Sequence, residues 1–150
     1  MTKNKKEKIG WINGNWGIFK NLKLPINDRG LNFGDGIFET ILILNGVPKL
    51  LDEHLNRWKK SAYILGMNTP PSKEWLNALI KDGINRSELN NKNGVIRINW
   101  TRGASTERGI DLSNRSIHSF WLEIDNYQPN FGSISTIISQ TERRNSFSKL

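Results

Sequence analysis

Four arginines of this chain have positions in the sequence from which their side chains could bind an anion. Arg57 lies beside an apolar helical stripe, and Arg97 interrupts the apolar run VIRINW. Arg102 and Arg108 each precede a glycine in the segment 101–116. A guanidinium can bind a carboxylate or phosphate through two parallel hydrogen bonds, but it can equally be solvated at the surface. If the strand face that carries Arg97 is buried, its charge requires an anion, either a protein carboxylate or a ligand.

Other kinds of chemistry have little support in the sequence. The chain has no cysteine, which excludes disulfides, thiolate catalysis and cysteine-bound zinc from it. His54, His118 and Lys149 show no spacing typical of a nucleophile or a metal site, so we interpret each as structural. The glycines in DRGLNFGDGIFET, residues 28–40, follow G-x-x-x-G-x-G and lead into a predicted strand. Phosphate and dinucleotide loops have another spacing and lead into a helix.

The composition predicts one packed, soluble domain. The chain has 150 residues, 36% of them hydrophobic, and a formal net charge of +8, which favours an anionic partner. Residues 1–8 hold four lysines and are predicted to be a basic disordered tail. No apolar run approaches the ~20 residues of a membrane span, and the N-terminus lacks the apolar part of a signal peptide. We therefore expect a cytoplasmic protein without a membrane partner and without a bound metal.

The elements that must position these arginines can be predicted from turns and periodicity. Asn-Gly pairs at 13–14 and 45–46 lie between β-forming runs, and each predicts a hairpin. Asp52 is expected to cap a helix over 53–65 that ends at Gly66. Ser72 is expected to cap a second helix, whose predicted buried residues are Trp75, Leu76, Leu79, Ile80 and Ile84.

Three further strands are predicted at 95–100, 117–124 and 133–142, and the segment 101–116 is predicted to be a loop. The order of elements indicates an α+β fold, in which a mostly antiparallel sheet carries two helices on one face. Side chains alternate along a strand, so Phe38 and Thr40 should lie on the face opposite to Glu39. The last strand, 133–142, has no obvious partner.

Several motifs resemble those of the class IV aminotransferase family. These are pyridoxal-phosphate enzymes that include branched-chain and D-amino acid aminotransferases and aminodeoxychorismate lyase. The resemblance runs from about Ile9 to Leu150. It depends on WINGNW, on the long ordered segment DRGLNFGDGIFETILILNGVPKLLDEHLNRWKKSA, on GVIRINWTRG with ERG beyond it, and on ERRN. It implies the fold of the N-terminal domain of the D-amino acid aminotransferase-like proteins, with pyridoxal 5'-phosphate as cofactor.

The resemblance also implies roles for particular residues. Arg57 in EHLNRW matches the arginine that holds the cofactor phosphate, and Phe38 in GIFET occupies an aromatic position that lines the substrate pocket. Thr40 is expected to face the same ring and substrate. Arg97 matches a position that faces the active site, and Arg108 resembles the arginine that binds the substrate carboxylate.

One catalytic group of the family has no counterpart in this sequence. The lysine that forms a Schiff base with the cofactor is expected about four residues beyond Leu150, and Lys149 matches a different position. We therefore expect an N-terminal portion that is inactive alone, and a homodimer at full length. Its predicted parts are a small domain at 9–125, a linker at 126–132 and the first strand of a cofactor domain at 133–150.

The resemblance indicates amino-group transfer from an amino acid to a 2-oxo acid. The alternative is 4-amino-4-deoxychorismate lyase, which releases 4-aminobenzoate for folate synthesis and shares the same motifs. A third hypothesis, a nucleic-acid-binding module, is suggested by the net charge of +8 and six tryptophans. It is disfavoured because the aromatic residues fall at positions predicted to be buried. We therefore expect a small-molecule substrate and no nucleic-acid partner.

Overall fold

A six-stranded antiparallel sheet forms the centre of the computed structural model, which describes residues 7–105 and 117–138. The strands lie in the order β2-β1-β6-β5-β3-β4. Their bounds are β1 Ile9–Ile12, β2 Asn15–Ile18, β3 Gly36–Leu44, β4 Val47–Pro48, β5 Gly94–Thr101 and β6 Ser119–Asn126. The helices are α1 Arg29–Phe33, α2 Leu51–Ile64 and α3 Lys73–Arg86, and a 3-10 turn covers Phe19–Asn21.

Both predicted hairpins are confirmed. Asn13 and Gly14 have φ of 51° and 84°, and Asn45 and Gly46 have φ of 50° and 78°. Positive φ at both central residues is the signature of the type I′ turn, whose twist matches that of the strands it joins. The first turn connects β1 to β2 and the second connects β3 to β4.

Helix α2 begins two residues earlier than predicted. It covers Leu51–Ile64 and its N-cap is Leu50, at φ 52° and without a side-chain cap bond, so Asp52 lies in the first turn and is not the cap. The end agrees with the prediction. Gly66 is left-handed, its N–H donates to Tyr63 O and that of Met67 donates to Ala62 O. This pair of bonds is the Schellman arrangement, which favours glycine at that position.

Helix α3 starts at the predicted cap, since the Ser72 side chain accepts a hydrogen bond from Trp75 N. Leu76, Ile80 and Ile84 are buried as predicted. Trp75 is not, because 41% of it stays exposed. It lies at the border of the core, with its ring edge-on to Trp11 at 5.3 Å and to Phe120 at 5.4 Å.

The hydrophobic core lies between one face of the sheet and helices α2 and α3. Its members come from β3, β5 and β6 and from the inner sides of the two helices; they include Ile41, Ile43, Leu55, Trp58, Leu76, Ile80, Ile96, Ile98, Leu122 and Ile124. Ile41, Ile96 and Ile124 are neighbours across three strands. The prediction of an α+β fold with an antiparallel sheet and two helices on one face is confirmed.

Parts of three predictions lie outside the described residues. Residues 1–6 of the predicted tail lie outside the described residues. The last two residues of the tail are described, and Glu7 pairs with Lys20 and Lys8 with Glu123. Residues 106–116 of the predicted loop also lie outside. Residues 133–138 form no strand, since no described strand offers them a ladder partner, and 139–150 are not described. The division into two domains therefore stays a prediction.

Candidate active site on the open face of the sheet

The sheet face that points away from α2 and α3, called here the open face, carries most of the predicted site residues. Cross-strand neighbours lie on the same face, and the register aligns Thr40, Arg97 and Glu123 in one row. The next row contains Phe38, Asn99 and Trp121. The alternation predicted from sequence for Phe38, Glu39 and Thr40 on β3 is thus confirmed, and three of the five predicted site residues lie together.

Arg97 lies over an aromatic ring on the open face. Its guanidinium carbon is 3.8 Å from the centroid of the Phe38 ring, which is close enough for a cation–π interaction. Nε donates to Asn99 Oδ1 over 3.1 Å and lies 4.0 Å from Glu123 Oε1. Among the described residues, nothing accepts a hydrogen bond from the two terminal nitrogens. With 43% of the side chain exposed, these nitrogens can bind a carboxylate.

A cleft of about 350 Å³ adjoins this guanidinium. The sheet forms one wall of the cleft through Arg97, Asn99, Thr101 and Trp121. The other wall is formed by the segment 30–38, which leads into β3 and includes its first residues. The volume is that of a small-ligand site, and its lining is mostly apolar with few polar groups. Thr40 does not line it. Thr40 instead lines a smaller cleft of about 180 Å³ on the other side of Arg97.

Helix α1, which was not predicted from sequence, brings the glycine-rich segment against β5. Asp28 caps it by accepting from Gly30 N at 2.8 Å, and its other oxygen accepts from Thr101 Oγ1 at 2.9 Å. A Cβ on Gly30 would lie 2.9 Å from Thr101 Cβ, closer than real side chains approach. Glycine at this position therefore allows the cleft wall to contact the sheet.

Asp35 and Arg102 form a largely buried ion pair that sequence reasoning missed. Arg102 Nε donates to Asp35 Oδ1, and Arg29 Nε donates to Asp35 Oδ2, both over 2.8 Å. Arg102 Nη1 donates to Gly66 O over 3.0 Å and Nη2 donates to Leu65 O. Arg102 was one of the candidate anion-binding arginines. It is instead a structural residue that joins the cleft wall to the end of α2.

Arg57 lies on the helix side of β3, apart from the open-face residues. Its Nε donates to Glu39 Oε1 over 2.6 Å and its Nη2 to Glu39 Oε2. These hydrogen bonds, together with the charge of Glu39, raise the pKa of Arg57 above its ordinary value. His54 Nδ1 donates to Glu39 Oε2 over 2.7 Å. A carboxylate whose side chain is only 5% exposed thus fixes the orientation of Arg57.

Arg57 nevertheless keeps donor capacity for a phosphate. Its Nη1 has no acceptor among the described residues, and 42% of its side chain is exposed. A guanidinium held in place by a carboxylate on one edge and open on the other suits a phosphate group. Arg108, the fifth predicted site residue, lies outside the described residues, so its role stays a prediction.

Neither a metal site nor a membrane-spanning helix is found in the described part of the chain. Within 7–105 and 117–138, no three His, Cys, Asp or Glu side chains are grouped closely enough to hold a metal ion. Among the helices of the same two segments, none is long and apolar enough to cross a membrane.

Comparisons with known proteins point to one family. D-alanine aminotransferase of Staphylococcus aureus (strain MSSA476) is 36% identical over 99 residues, which are 66% of this chain and 34% of that protein. A putative branched-chain-amino-acid aminotransferase of Methanocaldococcus jannaschii is 33% identical over 101 residues, which are 67% of this chain and 34% of that protein. The chain thus spans about a third of the length of these relatives.

Solved structures share the fold. A branched-chain amino acid aminotransferase from "T.th." with pyridoxamine 5'-phosphate superposes with a TM-score of 0.71 at 23% identity, over 85% of this chain and 42% of that one. A hypothetical aminotransferase from Mycobacterium tuberculosis in its PLP-bound form gives a TM-score of 0.65 at 21% identity, over 79% and 39%. The family model for amino-transferase class IV matches residues 36–150. The chain therefore belongs to the class IV aminotransferase family.

Proposed function

We propose that this chain contributes the substrate side of a pyridoxal-phosphate-dependent aminotransferase, which moves an amino group from an amino acid to a 2-oxo acid. Family membership supports the reaction class, and the names of the curated relatives describe D-alanine and branched-chain substrates. Two structural neighbours are described with pyridoxal phosphate or pyridoxamine phosphate as their bound group.

The observation that carries the proposal is the position of Arg97. Arg97 lines the cleft of about 350 Å³, and its guanidinium carbon lies over the Phe38 ring. Every amino acid and every 2-oxo acid has a carboxylate, and a stacked guanidinium binds that group in a fixed orientation. Arg97 is therefore our candidate for holding a substrate carboxylate, and Phe38 for shaping the pocket. Arg108 is proposed as a second carboxylate ligand.

The cofactor supplies the electron-withdrawing ring of this reaction when it is bound. Arg57 is proposed to hold its phosphate, which is supported by the unused Nη1 and by the rigid bond to Glu39. Thr40 is proposed to offer a hydroxyl on the open face, across β5 from Glu123. The chain's own residues would thus bind and orient the reactants, while proton transfer is assigned to the lysine expected beyond Leu150.

Three further parts of the proposal concern the whole protein. They are the lysine beyond Leu150, a homodimer, and a location in the cytoplasm. The continuation of the reading frame tests the first, since a stop codon directly after Leu150 would contradict it. Analytical ultracentrifugation of the protein from the complete reading frame tests the second, and fractionation of the native cell tests the third.

The lyase remains a second candidate because the cationic Arg97 would also suit aminodeoxychorismate, which has two carboxylates. One experiment separates the two reactions. The complete protein with pyridoxal phosphate is assayed for 2-oxoglutarate-dependent loss of D-alanine or a branched-chain amino acid, and in parallel for release of 4-aminobenzoate. Transamination without 4-aminobenzoate supports the first proposal. Release of 4-aminobenzoate without transamination supports the lyase. If the protein shows neither activity, both proposals are contradicted.

A further inference from the structure

Asn-Gly pairs occur three times in the chain, and the structure places them in three different surroundings. The pairs are Asn13-Gly14, Asn45-Gly46 and Asn93-Gly94. Asparagine is chemically labile, most of all before glycine, because glycine has no Cβ that would hinder attack of its nitrogen on the preceding side-chain amide. The contacts around each pair therefore decide how readily it reacts.

The reaction consumes only water. The Gly14 nitrogen bonds to Cγ of Asn13, and its proton leaves with the side-chain amide group as ammonia. One water molecule then opens the five-membered imide at either carbonyl. Opening at one carbonyl gives an ordinary aspartate, and opening at the other gives isoaspartate, in which the main chain runs through the former side chain. Both products carry a negative charge that asparagine lacks.

Asn13 and Gly14 lie at the exposed tip of the hairpin of β1 and β2. The Gly14 N–H donates to no acceptor among the described residues, and the Asn13 side chain makes no hydrogen bond to any of them. A Cβ built on Gly14 would meet no atom within 4 Å. The attack requires the turn to leave its type I′ geometry, and at such a tip this opening is local.

Asn45 and Gly46 form a turn of the same type with different contacts. Asn45 is exposed as well, so exposure does not distinguish the two turns. The Gly46 N–H donates to Lys92 O over 2.9 Å, and Asn45 N donates to Asn93 Oδ1 over 3.1 Å. A Cβ on Gly46 would lie 2.0 Å from Asn90 O, so this turn packs tightly against the segment before β5. The attacking nitrogen is thus held by an acceptor, and the turn must break two hydrogen bonds to open.

Asn93 and Gly94 are protected by burial. Gly94 is buried at the start of β5, between β3 and β6. The Asn93 amide is used at both ends, since Oδ1 accepts from Asn45 N and Nδ2 donates to Gln128 Oε1 over 3.3 Å. Attack on this side chain would require both bonds and the end of the strand to open.

We propose that Asn13 is a site of spontaneous deamidation and isoaspartate formation in this protein, and that Asn45 and Asn93 are protected by their contacts. The inference goes beyond the proposed function and does not depend on it. The two type I′ turns form a matched pair, because they share the same two residues and nearly the same φ angles. They differ in what surrounds the attacking nitrogen.

Isoaspartate at this position would loosen strand β2. It adds a main-chain atom to a two-residue turn, which spoils the match between the turn and the twist of its strands, whereas an ordinary aspartate suits the same turn. Of the described strands, only β1 pairs with β2, while β1 is also held by β6. Trp16 on β2 packs against the core, with the Arg86 guanidinium carbon 5.7 Å from its ring. We therefore expect β2 and Trp16 to detach while β1 stays in place.

The test follows the three asparagines in the complete protein during storage in mildly alkaline buffer. Trypsin places them in separate peptides, 9–20, 30–49 and 93–97. Digestion in water labelled with heavy oxygen distinguishes deamidation that occurs during digestion. We expect Asn13 to be lost at least about tenfold faster than Asn45 and Asn93. Electron-based fragmentation in the mass spectrometer separates aspartate from isoaspartate.

The same protein unfolded in urea is the matched control. Each asparagine still precedes glycine there but has lost its contacts, so the three rates should agree within about threefold. For the structural effect, hydrogen exchange is compared between the isoaspartate fraction and Asn13→Asp. Exchange in β2 should be at least about tenfold faster in the isoaspartate fraction and close to wild type in Asn13→Asp.

Equal rates at Asn13 and Asn45 in the folded protein would overturn the proposal, as would a difference between them that persists in urea. Unchanged exchange in β2 of the isoaspartate fraction would overturn the structural effect, and equally fast exchange in Asn13→Asp would assign that effect to the new charge instead of the longer main chain. None of these measurements uses enzyme activity, so they are separable from failure of the proposed function.

Discussion

Arg102 joins Asp35 to the C-terminal end of helix α2. Its Nε donates to Asp35 Oδ1 over 2.8 Å, while Nη1 donates to Gly66 O over 3.0 Å. A cation at the end of a helix also interacts favourably with the partial negative charge of the last carbonyl groups. One buried guanidinium therefore holds together the wall of the cleft and the helix that carries Arg57.

We predict that Arg102→Met destabilises the protein by about 3 kcal/mol, because it leaves Asp35 with Arg29 as its only other side-chain partner among the described residues and removes a donor from the carbonyls of Leu65 and Gly66. Urea unfolding followed by tryptophan fluorescence measures the loss. Arg86→Met is the matched control. Arg86 pairs with Asp82 one turn earlier, 52% of its side chain is exposed, and its loss should cost less than about 1 kcal/mol. Equal losses for the two variants would contradict a structural role for Arg102.

Gly30→Ala should destabilise the protein by about 1–3 kcal/mol, since the new methyl group would meet Thr101 and force α1 away from β5. The same urea experiment measures this. Thr101→Ser in the Gly30→Ala background removes one methyl group and keeps the hydroxyl that bonds Asp28. We expect this second change to restore part of the lost stability. A double variant less stable than Gly30→Ala would show that the close approach is not the cause.

Much of the open face could be predicted from sequence because a strand has a period of two. That period alone places Phe38 with Thr40, and Arg97 with Asn99, once a strand is recognised. The two Asn-Gly turns likewise reveal the hairpins, because few other pairs adopt positive φ twice.

The pairings across the fold could not be predicted in this way. Arg102 and Asp35 are 67 positions apart, and Arg57 and Glu39 are 18 apart. Periodicity gives the face of a residue but neither the register of its strand nor the reach of its side chain. Arg102 followed by glycine therefore has the sequence pattern of an anion-binding residue, although its guanidinium donates hydrogen bonds to three polar groups of the protein.

The first turn of α3 makes the stability of the folded protein depend on pH. Hydrogen bonds from its own N–H and from the Ser72 side chain lower the pKa of Glu74 below its ordinary value of 4.5. Because the pKa of Glu74 is lower in the folded state than in the unfolded state, ionised Glu74 stabilises the protein at any pH above the unfolded-state pKa. This stabilisation is lost as the pH falls through the folded-state pKa.

We therefore expect wild-type protein to be more stable than Glu74→Gln at pH 6, with the difference shrinking below about pH 4.5. Thermal unfolding across this range measures it. Ser72→Ala should cost about 1 kcal/mol through loss of the cap and should weaken the same pH dependence. A constant difference between wild type and Glu74→Gln across the whole range would contradict the assignment.

The proposed phosphate role of Arg57 predicts a difference between two cofactor forms. Arg57→Met should weaken pyridoxal phosphate binding to the complete protein at least about tenfold, because a charge-assisted pair of hydrogen bonds is lost. Binding of pyridoxal, which has no phosphate, should change little. Fluorescence titration measures both affinities, and Lys60→Met on the same helix is the control for loss of a positive charge.

Arg57→Met also leaves the buried carboxylate of Glu39 with His54 as its only other partner among the described residues, which by itself destabilises the protein. The double variant Glu39→Gln with Arg57→Met removes that charge and should recover stability. It should not recover pyridoxal phosphate affinity if Arg57 binds the phosphate directly. Recovery of both would mean that Arg57 serves only to neutralise Glu39, and the phosphate site would then have to be sought elsewhere.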